Sequence, residues 1–130
     1  MPITYQIDPE RNLVTVEAHG ALRAGDYIDT RTRLAHDSLL QPGMDQLLDF
    51  RDVERHELSI ELYSRFVELE RSLQDRFGDC RIAVVTHSDL HYGFTQMFVV
   101  EMGNVRPDYR VFRALEAAEE WLWGRKNVEA

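Results

Sequence analysis

The chain has 130 residues, enough for a single domain to bury its own core without help from a disulfide or a metal. Fifteen basic against twenty-three acidic residues give a formal net charge of −8, which repels polyphosphate backbones and argues against nucleic acid or anionic lipid surfaces as partners. No apolar stretch approaches the roughly 20 residues of a membrane span, Met1–Gln6 lacks the pattern of an export signal, and the single cysteine, Cys80, cannot form a disulfide within the chain. A reducing, cytoplasmic location is the expectation.

Ile3–Ile7 and Leu13–Ala18 alternate in strand fashion around the turn-forming Asp8-Pro9-Glu10-Arg11-Asn12, which predicts an antiparallel hairpin. From Ala24 to His36, Tyr27, Ile28, Leu34 and Ala35 recur at helical spacings until Gln41-Pro42-Gly43 breaks the pattern. Leu47, Leu48 and Phe50 form an apolar run too short for a helix, and the polar stretch Arg51–Glu57 reads as a loop after that strand. Ser59 is placed to cap a helix carrying Leu62, Phe66, Leu69, Leu73 and Phe77, stopped by Gly78.

Arg81–Thr86 is a continuous apolar run, as in a strand covered on both faces, and makes the neighbouring Cys80 a buried, inert thiol. Ser88 then caps a helix with Leu90, Phe94, Met97 and Phe98, ended by Pro107. Tyr109–Phe112 is a last strand and Ala114–Trp123 a last helix. The alternation predicts an α/β domain: a mixed, mostly parallel sheet of about five strands, an N-terminal hairpin and about four helices. The domain spans 1–124, with 125–130 a frayed tail.

No Gly-x-Gly-x-x-Gly, Walker-type loop or Gly-x-Ser-x-Gly elbow is present, so no catalytic residues and no cofactor are expected. His87-Ser88-Asp89-Leu90-His91 is the densest group of potential ligands, but a third strong donor at a metal-motif spacing is lacking, and no metal site is expected. The loops after the middle strands should reach the carboxyl edge of the sheet, where open α/β sheets bind ligands. That places Arg51, Asp52, His56, Glu57, His87 and Ser88 at a partner-binding or ligand-binding edge. The run Met97–Val100 puts Val99 or Val100 near a second surface, and Trp121 and Trp123, two positions apart, cannot both point inward. These four residues are candidates for an interface, with a homodimer its simplest product.

The hairpin, the alternating helices and strands, and Leu47-Leu48-Asp49-Phe50-Arg51-Asp52-Val53 at the centre resemble the SpoIIAA-like, or STAS, domains of anti-sigma-factor antagonists. The opening Ile3–Glu10 and the ending Arg110-Val111-Phe112 before an Ala-rich, Trp-containing helix resemble a branch known simply as SpoIIAA-like. In the antagonist members an Asp-Phe/Leu-x-x-Val strand end leads into Asp-Ser-Ser-Gly at a helix start, whose second serine accepts phosphate from a partner kinase. Asp49, Phe50 and Val53 match that strand end; the tetrad then falls on Glu57, Leu58, Ser59 and Ile60, which makes Ser59 the phospho-acceptor candidate. The resemblance implies a non-enzymatic regulatory module with a protein partner. The alternative it implies is a small apolar-ligand or lipid carrier, since this branch is also compared with the CRAL-TRIO lipid-transfer class.

Overall fold

The computed structural model of the chain describes residues 2–103 and 107–129, the last five of these by backbone alone; of the tail expected at 125–130, the backbone of 125–129 belongs to a helix and residue 130 lies outside the described residues. Strands β1 (Ile3–Asp8) and β2 (Leu13–Leu22) form the hairpin. In its turn, Asp8 Oδ1 accepts from the N–H groups of Glu10 and Arg11 at 3.1 and 3.3 Å. Then come α1 (Ala24–Ala35), β3 (Asp45–His56), α2 (Ile60–Ser72), the short α3 (Gln74–Phe77), β4 (Arg81–Val85), α4 (Asp89–Met102), β5 (Asp108–Phe112) and α5 (Leu115–Glu129). The strands lie in the order β1-β2-β3-β4-β5, antiparallel in the first pair and parallel from β2 onward.

Helices cover the two faces of the sheet unequally. Val14, Val16, Leu48, Phe50, Ile82 and Val84 face a core built with Leu34, Val67, Phe77 and Phe98 from α1 through α4. Leu13, Leu47, Ala83 and Val85 face the opposite way, onto Ala118 and Leu122 of α5. Residues 82–85 alternate between the two cores, which is why β4 is apolar throughout. On β1 and β2 the side away from the main core keeps Thr4, Gln6, Glu17 and His19 exposed, so those strands alternate.

The expected loop at Arg51–Glu57 is corrected: β3 continues to His56 and stays paired with β2 as far as Leu22↔His56. Two register shifts insert an extra residue into β3 at each, between Asp49 and Asp52 and between Val53 and Arg55. Bulges of this kind break the two-residue period, and the stretch reads as a loop although Val53 is buried. Arg51, Asp52 and His56 therefore sit on a strand. The helix expected to run unbroken to Gly78 is interrupted at Leu73, where α2 ends and α3 begins.

A fully buried polar network joins four elements on the main face. Arg31 of α1 makes a two-pronged ion pair with Glu70 of α2, Nη2 to Oε1 at 2.7 Å and Nε to Oε2 at 3.1 Å, and both side chains are 0% exposed. Arg31 also donates to Gln46 Oε1 of β3 at 2.6 Å, while the Tyr109 hydroxyl of β5 donates to Glu70 Oε1 at 3.0 Å. The guanidinium lies 4.6 Å from the centre of the Phe77 ring. Burial works against the charge of Arg31, but the Glu70 carboxylate overrides it and holds the guanidinium above its ordinary pKa.

Candidate functional site

The carboxyl ends of β2 and β3 and the first turns of α1, α2 and α4 meet at one edge of the sheet. Glu57 closes it from below, its Oε1 accepting from Ala24 N–H at 3.2 Å where Arg23 supplies no side-chain cap to α1. Ser59 Oγ accepts from Leu62 N–H at 3.2 Å and caps α2; Ser88 Oγ accepts from His91 N–H at 3.2 Å and caps α4. Both caps follow the sequence reading. Ser59→Ala should therefore cost about 1 kcal/mol in urea denaturation and Ser59→Asp should restore most of it. An alanine variant as stable as wild type would remove the capping role.

Between these helix starts lies a cavity of about 70 Å³ walled by Tyr27, Phe50, Phe66, Phe94 and Phe98. His56 and His91 line it too, their rings stacked with centroids 3.7 Å apart and Phe50 against both. His91 Nδ1 bonds Thr86 Oγ1 at 2.9 Å, whereas His56 Nε2 is buried with no hydrogen-bond partner among the described residues. Burial pushes the His56 imidazole down to about 4; burial, and then the His56 beside it, pushes His91 down to about 3. Both rings are neutral at pH 7.

The edge residues divide over the two faces. His56 and Glu57 belong to the cavity side. Arg51 folds back on Asp49, Nη2 to Oδ2 at 2.8 Å and Nε to Oδ1 at 2.9 Å. Burial raises the Asp49 carboxyl, yet these hydrogen bonds outweigh it and hold the group below its ordinary value. Asp52 and His87 are exposed. Neither histidine of the His87–His91 segment joins a metal cluster: among the described residues no three His, Cys, Asp or Glu side chains gather in a way that could hold an ion. No described helix is long and apolar enough to cross a membrane.

The four interface candidates do not form one surface. Val99 packs against the main core and Val100 is 72% exposed, both on α4, whereas Trp121 and Trp123 lie across the sheet on α5. Both tryptophans lean on the second core, contrary to the expectation that only one can turn inward, because α5 crosses several strands and indoles on either flank of its lower side reach the sheet. Arg81 and Arg110 stack on Trp121 at 5.0 and 4.9 Å, and Arg11 covers Trp123 at 5.1 Å. Sequence reasoning missed the exposed apolar residues at the seam of α2 and α4. Ile60 is 86% exposed, Leu90 74% and Met97 59%. Leu90, Phe94 and Met97 follow one another along a single face of α4, and Tyr63 of α2 joins them, its ring edge-on to Phe94 and its hydroxyl donating to Met97 O at 3.0 Å.

An N-terminal hairpin followed by parallel strands, with α1 to α4 on one face and α5 on the other, is a SpoIIAA-like fold. An uncharacterised protein of the DUF3478 family with a SpoIIAA-like fold, from Shewanella loihica PV-4, superimposes with a TM-score of 0.58 over 92% of this chain and 93% of its own, at 18% identity. No family model matches the sequence, and no curated protein matches it at a significant level.

Proposed function

We propose that the chain is a non-enzymatic regulatory module that works by docking a protein partner on the seam of α2 and α4. The observation that carries this reading is the exposure of Leu90 and Met97 on the face of α4 that carries Phe94, with Tyr63 of α2 edge-on to Phe94 and the exposed Ile60 one turn before Tyr63 on α2. Grouped apolar side chains in water cost free energy that a partner's apolar surface recovers, whereas isolated ones call for no explanation. The acidic balance of the chain suits a partner with basic groups around an apolar centre. In this reading Ser59 is the cap that positions Ile60. Glu54, Glu57 and Glu61 surround it in sequence and would repel an added phosphate, so it is no phosphorylation switch.

Leu90→Glu and Met97→Glu test the reading. Both sites are exposed, so each variant should keep its stability within about 0.5 kcal/mol. Captured from the native cells, the tagged wild type and a Leu39→Glu control at the far end of the sheet should bring down a common partner, and the two seam variants should lose it. Retention of that partner by both seam variants would end the proposal.

A further inference from the structure

We infer that the stacked His56–His91 pair is an acid-sensitive latch, whose protonation parts the end of β3 from the start of α4 and opens the cavity between the helix starts to water. Three features of the pair carry this, and a docked partner is not among them. The first is contact. The two rings lie face to face with centroids 3.7 Å apart, and Phe50 packs against both. Neutral imidazoles stack there as aromatic rings do, whereas two imidazolium ions at that distance repel each other with no water between them.

The second is hydrogen bonding. An imidazolium donates from both ring nitrogens. His56 Nε2 is sealed in the protein with no acceptor among the described residues, so a charged His56 would hold an unpaired N–H there. His91 Nδ1 has only the neutral hydroxyl of Thr86. The third is the surrounding charge. Arg23 ahead of α1 and Glu57 beyond β3 are the charged groups of the lining, opposite in sign, and Glu57 is engaged with Ala24 N–H. Burial raises the hydroxyls of Tyr27 on α1 and Tyr109 on β5 and keeps them un-ionised, while α2 and α4 contribute Phe66, Phe94 and Thr95. Asp89, in the first turn of α4, is turned out to Arg113. No carboxylate is hydrogen-bonded to either imidazole among the described residues.

Both rings also sit where the elements can part. His56 is the last residue of β3, beyond both register shifts, and His91 lies in the first turn of α4. Element ends open at less cost than element middles. The closed edge holds both imidazoles well below their ordinary range, whereas in the open edge they return to about 6.5. The open form therefore takes up the protons, and the closed form loses stability as the pH falls through about 6.5. With two rings, opening becomes about a hundredfold more frequent between about pH 7.5 and 5.5, and with one ring about tenfold.

Amide hydrogen exchange, corrected for its intrinsic dependence on pH, reads this opening. Glu57 N–H donates to Leu22 O across the end of β3, and Tyr92 N–H donates to Ser88 O in the first turn of α4. The protection of both should fall about a hundredfold between about pH 7.5 and 5.5, and both should stay less protected than Val84 in β4, since the edge opens without the sheet. His56→Phe and His91→Phe each keep a ring in the stack and should cut the fall to about tenfold; the double variant should abolish it. Unchanged protection of Glu57 and Tyr92 would overturn the inference. So would protection equal to that of Val84 at the lower pH, which is global unfolding, or the full fall persisting in the double variant. The wild-type comparison decides even if the variants do not fold.

Discussion

Glu70→Gln should destabilise the protein by about 3–5 kcal/mol, with a drop in the thermal midpoint on the order of 10 °C or more. The substitution keeps the size of the side chain and one acceptor oxygen but removes the charge that neutralises Arg31, and neither residue has any exposed side-chain surface. Arg31 would then be left charged in the core with Gln46 and a second neutral amide as its hydrogen-bond acceptors. The Tyr109 hydroxyl would meet an amide in place of the carboxylate it donates to. Replacing the pair together, as Arg31→Met with Glu70→Leu, should recover much of the loss, because an apolar pair of similar volume asks for no desolvation of charge. A Glu70→Gln protein within 1 kcal/mol of wild type would show that the pair is not electrostatically coupled as its geometry requires. The network matters to the site as well as to the core: Arg31 and Glu70 tie α1 to α2, and Tyr109 lies on the cavity wall, so its loss should loosen the walls around His56.

Gly78→Ala should cost at least about 2 kcal/mol, since it combines backbone strain with a steric clash. Gly78 adopts φ 72° and ψ −158°, a region that residues with a Cβ essentially do not occupy. An added Cβ would also stand 2.9 Å from Pro42 Cβ and 3.0 Å from Gly43 N, inside contact distance of the backbone turn that precedes β3. That turn is tied to the end of α3 by the hydrogen bond from Gly43 N–H to Phe77 O at 2.8 Å, so it has little freedom to withdraw. Chemical denaturation reads the effect directly, and a loss below 0.5 kcal/mol would mean that the turn yields. Gly43, also at positive φ but with its nearest neighbour at 3.9 Å, should carry only the conformational part of the penalty.

The sequence is most legible where one rule governs a segment. Alternation marks the hairpin because β1 and β2 are covered on one face; continuous apolarity marks β4 because Ile82 and Val84 face one core and Ala83 and Val85 the other. Ser59 and Ser88 announce their helices because an orphaned N–H needs an acceptor wherever a helix begins. The outer half of β3 is hidden for an equally physical reason: its two bulges remove the period that betrays a strand. The polar network is invisible for another reason. Arg31, Gln46 and Glu70 look like solvent-facing residues, and only the fold brings them together across three elements.

The site was legible in part. The position of the edge follows from topology, and of the residues expected there His56 and Glu57 line the cavity. The stacking of His56 on His91 depends on β3 running past its expected end, so it could not be read from the chain. The exposed seam was missed because Leu90 and Met97 have the spacing of core residues; their exposure results from α4 turning Phe98 and Met102 to the sheet instead. That helix is apolar on more than one side, and the excess of apolar positions was its one visible sign.

Hydrogen–deuterium exchange of the protein with and without the partner captured from its own cells tests docking at the α2–α4 seam most directly. The account predicts that binding slows exchange in 59–63 and 89–98, around Ile60, Leu90 and Met97, and leaves β1, β2 and α5 unchanged. Protection confined to α5, with the seam exchanging as in the free protein, would contradict it.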